Sequence, residues 1–189
     1  MTDDDAITRA ALAAKAGDRR AAEAFVAATQ PAVRRFLAHL ADPVDVDDLT
    51  QETYLRALPA LVRFAGQSTA RTWLLAIARN VAADHVRAAV RRPRPASLDA
   101  RDPAAPPPAR LRTAGVDDGV ALRQLLETLA PERREAFIAT QVLGLSYAEA
   151  AEVCECPVGT IRSRVARARE DLVAAIRQER SVPGRRGVM

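Results

Sequence analysis

The chain has 189 residues, a net charge of +4 and a pI near 9.8; it is 49% hydrophobic but only 4% aromatic. That length suits one or two domains, and an alanine- and arginine-rich composition favours helices. No stretch approaches a membrane span, and the acidic start Met-Thr-Asp-Asp-Asp lacks the basic and apolar regions of a signal peptide. The expectation is therefore a cytoplasmic, reduced, all-α protein with no membrane partner. In it the two cysteines need not pair, and its positive charge serves either a polyanionic partner or a solvated basic surface.

A first helix is expected from Asp4 to Ala16, stopped by Gly17, with Asp18 capping the next. The second carries Phe25, Thr29, Val33, Phe36 and Leu40 at three- and four-residue spacing, and Pro31 should kink or divide it near Gln30. Both read as scaffold, and His39 as a packing residue. After Pro43, Asp45 or Asp47 is positioned to cap a third helix with two apolar stripes. One is Leu49, Thr53 and Ala57; the other is Tyr54, Leu55 and Leu58, flanked by Asp48 and Gln51. Such a helix needs two partners, or full burial in a core.

Pro59 to Gly66 reads as a loop carrying Arg63 and Phe64. Ser68 then caps a long helix running to about Ala89, with Leu74, Ile77 and Val81 as its buried stripe. Arg71, Arg79, Arg87, Arg91 and Arg92 supply cations along it. Trp73 offers an aromatic face for a base or, equally, a core side chain; His85 reads as structural. Residues 91–117 contain six of the 12 prolines and almost no large apolar groups, the composition of a flexible or extended linker.

Beyond it, Leu122, Leu125, Leu126 and Leu129 form a helical stripe, and Pro131 opens a helix with Phe137, Ile138 and Leu143 that Gly144 ends. Ser146 and Glu149 make a capping box for the next helix, whose small face is Ala150, Ala151 and Val153. Cys154-Glu155-Cys156 is a turn, and Pro157 suits the start of the helix that follows. On that helix Ile161, Val165, Ala168 and Leu172 form one stripe. Ser163, Ala166, Arg167 and Glu170 point the opposite way, with Arg162, Arg164 and Arg169 on the flanks. Cap, turn and arginine-rich second helix together make a helix-turn-helix suited to the DNA major groove, against the alternative of a solvated basic face.

Three segments resemble one family. Gly144-Leu145-Ser146-Tyr147, with Cys156-Pro157-Val158-Gly159-Thr160-Ile161-Arg162-Ser163-Arg164-Val165 and Ala168-Arg169, resembles the promoter-reading region of bacterial RNA polymerase sigma factors. The similarity is to the small extracytoplasmic-function type. Asp48 to Leu58 resembles the polymerase-binding helix of that group. Thr72-Trp73-Leu74-Leu75-Ala76-Ile77-Ala78-Arg79-Asn80 with Asp84 and Arg87 resembles its promoter-melting helix. The three occur in the family's order. One departure is Glu155, where the family usually has a turn glycine.

The resemblance implies two small helical domains joined by a flexible linker: residues 1–92, a Pro-rich linker 93–117, a helix-turn-helix domain 118–180 and a disordered tail 181–189. It implies polymerase contacts at Asp48, Gln51, Glu52, Leu55, Arg56 and Leu58, docking on the coiled coil of the largest subunit. Minus-ten DNA contacts fall at Arg71, Trp73, Arg79, Asn80, Asp84, Arg87, Arg91 and Arg92, including capture of a flipped base. Minus-thirty-five contacts fall at Thr160, Arg162, Ser163, Arg164, Ala166, Arg167 and Arg169. In the family the linker runs through the polymerase near its active cleft; a passive tether is the plainer alternative. Many relatives are held by an anti-sigma factor, and nothing in this sequence identifies one.

The sequence has no Gly-rich phosphate loop, zinc-protease helix or serine elbow. Cys154 and Cys156 with His39 and His85 would number four zinc ligands. The histidines belong to the other domain, however, and Cys154 occupies a position that is usually apolar, so neither metal nor cofactor is expected. An enzyme using Asp84–His85 lacks partner residues. A dimeric helix-turn-helix regulator is the stronger competitor to a sigma factor, but it leaves the Asp48–Leu58 and Trp73 helices without a role.

Overall fold

The computed structural model describes residues 3–91 and 118–181, and among them every regular element is helical. The first four helices are α1 (Asp3–Lys15), α2 (Arg19–Leu40), α3 (Val46–Ala60) and α4 (Ala70–Arg91). Gly17, at φ +99, ends α1, and Asp18 caps α2 by accepting from the Ala21 amide. Phe25, Phe36, Leu37, Leu74 and Leu75 are fully buried at their centre, each worth about 1.5–3 kcal/mol of transfer free energy. Tyr54 and Thr29 share a buried hydroxyl pair at 2.8 Å that ties α3 to α2.

Four local expectations are corrected. Pro31 lies inside an undivided α2. Neither Asp45 nor Asp47 caps α3 through its side chain. Asp42 instead accepts from the Val44 amide and opens a 3₁₀ turn, Pro43–Asp45, that runs straight into α3. Pro59 belongs to the last turn of α3, and a 3₁₀ turn Leu61–Arg63 follows before the connection to α4. Thr69, not Ser68, caps α4: its Oγ1 accepts from the Thr72 amide at 3.1 Å, and the helix continues to Arg91.

The remaining helices are α5 (Asp118–Glu127), α6 (Pro131–Phe137), α7 (Tyr147–Val153) and α8 (Val158–Ser181). Helix α6 continues as a π turn, Ile138–Val142, closed by the Leu143 amide donating to the Ile138 carbonyl at 3.0 Å. Nothing local in the sequence signals this turn. Gly144, at φ +70, then reverses the chain. Both arms of the Ser146–Glu149 capping box form at the start of α7. Ala150 and Val153 of α7 are fully buried, and Ile161, Val165 and Ala168 of α8 pack into the same core. The expected linker and the expected tail beyond Ser181 lie outside the described residues, as does Arg92.

Candidate nucleic-acid and polymerase interfaces

Helix α8 sorts by face as its spacing requires. Ile161, Val165, Ala168 and Leu172 are buried, while Arg162, Ser163, Ala166, Arg167, Arg169 and Glu170 are exposed. Arg164 is half-buried with Nη1 3.6 Å from Cys156 Sγ, and Arg169 donates to Gln141 Oε1 of the π turn at 2.9 Å. Ser163 Oγ donates to the Thr160 carbonyl at 2.9 Å. Arg167 therefore stands at the middle of the outward face. Burial pushes the Cys154 thiol up to about 12, which keeps it an inert, neutral core group.

The turn between α7 and α8 contains the one non-glycine residue with positive φ among the described residues, Glu155 at φ +50. Its carboxylate does not turn to solvent alone. Asn80 Nδ2 donates to Glu155 Oε1 at 3.0 Å, and Arg79 Nη1 lies 3.9 Å from Oε2. Arg79 also donates through Nε to Glu135 Oε2 of α6 at 2.8 Å. Arg71 donates to the Leu143 carbonyl at 2.7 Å and lies 3.8 Å from Asp4. Three of the residues expected to meet the minus-ten element thus face α6, the end of the π turn at Leu143 and the α7–α8 turn. Trp73 is partly buried with its ring centroid 5.2 Å from that of Phe64.

Farther along α4, Arg87 is paired within the first four helices. Asp84 accepts from Arg56 Nη1 at 2.7 Å and from Arg87 Nη2 at 2.5 Å; Arg56 Nε also donates to Glu52 at 2.7 Å. The guanidinium groups of Arg56 and then Arg87 hold the Asp84 carboxyl below the usual carboxylate range. His85 Nε2 lies 3.2 Å from Asp45 Oδ2. Arg91 is exposed at the end of α4.

On α3 the stripe Leu49, Thr53 and Ala57 is buried as expected. The second stripe is only partly free: Tyr54 is 8% exposed and belongs to the core, whereas Leu55 and Leu58 are 61% and 39% exposed. Asp48 and Gln51 are exposed beside them. An apolar pair rimmed by acid and amide groups has the make-up of a protein-binding patch.

Both halves match models of one family: the Sigma-70 region 2 model over residues 25–92 and the Sigma-70 region 4 model over residues 119–172. The chain belongs to the sigma-70 family of transcription initiation factors, in its extracytoplasmic-function branch, and its function is promoter-specific initiation of transcription by RNA polymerase. It is 52% identical over 178 residues to the ECF RNA polymerase sigma factor SigC of Mycobacterium tuberculosis, with 92% of each chain covered. It is 32% identical to the ECF RNA polymerase sigma-E factor of Escherichia coli K12, covering 82% of this chain and 85% of that one. Among solved structures it is similar to the sigma factor RpoE in complex with the anti-sigma factor NepR from Bartonella quintana. There the TM-score is 0.68 at 30% identity, with 82% and 96% of the chains covered. CnrH, in complex with the cytosolic domain of CnrY, shares the fold at a TM-score of 0.69, covering 92% of this chain and 98% of that one.

Proposed function

We propose that the two halves divide the work of initiation, residues 1–92 as the polymerase-binding and minus-ten domain and 118–180 as the minus-thirty-five domain. Helix α3 docks on core RNA polymerase through Leu55 and Leu58, with Asp48, Gln51, Glu52 and Arg56 around them. Helix α4 takes the minus-ten strand with Arg71, Trp73, Arg79, Asn80, Arg87 and Arg91, joined by Arg92, and Asp84 lies among them. Helix α8 enters the major groove at the minus-thirty-five element with Arg167 at its centre and Thr160, Arg162, Ser163, Arg164, Ala166 and Arg169 around it.

The observation that carries this reading is the sorting of α8, one stripe buried and one arginine-bearing face exposed, on a helix whose entry is fixed by a capped partner helix. The chain itself performs no chemistry; the polymerase does. It acts in the cytoplasm where the polymerase is, and the complex of the similar sigma factor RpoE with an anti-sigma factor supports a partner of that class here. The described arrangement is closed at one point: Arg79 and Asn80 must leave Glu135 and Glu155 before they can take a strand.

Co-elution with core polymerase tests this reading. Stoichiometric co-elution is expected, whereas duplex binding by a dimer of this chain, with no affinity for the polymerase, would favour a conventional helix-turn-helix regulator.

A further inference from the structure

Glu52, Arg56, Asp84 and Arg87 form a ladder of alternating charge that crosses from α3 to α4. Its three links are 2.7, 2.7 and 2.5 Å. Single exposed ion pairs are weak, but a network with shared members holds its geometry better. Here Arg56 and Asp84 each serve two partners. We infer that Asp84 is a positioning residue and not a DNA contact: it holds the Arg87 guanidinium ready for the backbone of the opened promoter strand, and Arg56 and Glu52 fix the carboxylate that does so. This rests on the reading of α4 as the minus-ten helix.

A carboxylate facing a nucleic-acid strand is repelled by phosphates. Asp84 is tolerable there because each of its oxygens receives a guanidinium, Oδ2 from α3 and Oδ1 from α4. Arg87 spends one nitrogen on Asp84, and its side chain remains 61% exposed, so the rest of its donor fork is open to a phosphate. An arginine already held in one geometry gives up less rotamer freedom on binding. The ladder also ties the polymerase-facing helix to the strand-facing one through Arg56.

Charge and positioning predict opposite signs for one substitution. Removing a carboxylate beside phosphates tightens DNA binding if Asp84 acts only through its charge, and loosens it if Asp84 positions Arg87. The test uses holoenzyme assembled from core polymerase and the full chain. The probe is a forked promoter fragment with an unpaired minus-ten strand, cut from a site that wild-type holoenzyme transcribes. Capture of that fragment by wild-type holoenzyme checks the underlying reading separately.

Asp84→Asn should weaken capture by about threefold to tenfold and lower the salt slope by about one unit. Arg87→Ala should do the same, the double variant should be no weaker than Arg87→Ala alone, and Asp84→Glu should restore most of the loss. Tighter or unchanged capture by Asp84→Asn, an unchanged salt slope, or additive losses in the double variant would overturn the inference. Circular dichroism checks helicity. Should Asp84→Asn unfold, Arg87→Lys takes its place: it keeps the charge without the two-point grip and should weaken capture comparably, while wild-type capture would overturn the inference.

Discussion

Asn80 of α4 donates to Glu155 in the turn between α7 and α8 at 3.0 Å, so a residue placed to read an opened strand is held by a residue 75 positions away. The acceptor sits at φ +50, a left-handed conformation that glycine enters freely and that costs other residues about 1–2 kcal/mol. The Asn80 hydrogen bond and the Arg79 guanidinium at 3.9 Å offset part of that cost. The departure from the family's usual glycine thus coincides with a contact that glycine could not make.

Glu155→Gly combined with Glu135→Gln should release both Arg79 and Asn80 while leaving the helix-turn-helix intact. The expected outcome is a larger radius of gyration by small-angle scattering and stronger capture of a single minus-ten strand by the free chain. Wild-type values for both would show that these contacts do not hold the halves together.

Replacing Gln51 and Leu55 together by arginine should abolish binding to core polymerase at unchanged helicity. Both side chains are exposed on the isolated helix face, Leu55 by 61%, so no core contact is lost. Titration of labelled polymerase, read beside a circular dichroism spectrum, decides it; normal affinity would remove α3 from the docking surface.

The parts of this fold legible in the sequence were those with a local period or a local cap. The Ile161–Val165–Ala168–Leu172 stripe and the Ser146–Glu149 box depend on residues three or four apart, and both form. Pro31 misled because a proline inside a helix costs about 3 kcal/mol locally, whereas α2 buries Phe25, Val33, Phe36 and Leu37 around it. Spacing alone puts Tyr54 on the open stripe with Leu55 and Leu58, because its partner, Thr29, lies 25 residues away on another helix. The pairs Arg79–Glu135 and Asn80–Glu155 span 56 and 75 residues. No periodicity encodes such pairings, so the residues of the candidate site were legible and their present partners were not.

Arg167 lies at the centre of the exposed face of α8, opposite the buried stripe, and should enter the groove most deeply. Arg167→Ala should cost on the order of 1–3 kcal/mol on the preferred minus-thirty-five sequence and relax choice at one base pair. Arg169 is drawn sideways to Gln141, and Arg169→Ala should weaken all sequences alike and lower the salt slope by about one unit. Holoenzyme binding to single-base promoter variants at several salt concentrations separates the two. Uniform weakening by Arg167→Ala would make it a phosphate contact.

His39 gives stability a pH dependence. Burial, with Arg123 and Arg35 nearby, holds its pKa below 6.5, and its Nδ1 is buried without a partner. Below pH 6.5 the unfolded chain therefore binds a proton that the folded chain resists, so stability falls as pH drops. Denaturant unfolding between about pH 7.5 and about pH 5.5 should show a decline that His39→Leu reduces. Identical slopes for the two proteins would contradict this.

The most direct test of the account is run-off transcription from genomic DNA by core polymerase with and without this chain. Discrete transcripts that start downstream of a shared minus-thirty-five and minus-ten pair, appear only when the chain is added and vanish with the Gln51/Leu55 double variant are the predicted result. Transcription unaffected by the chain, with no complex formed between it and the polymerase, would contradict it.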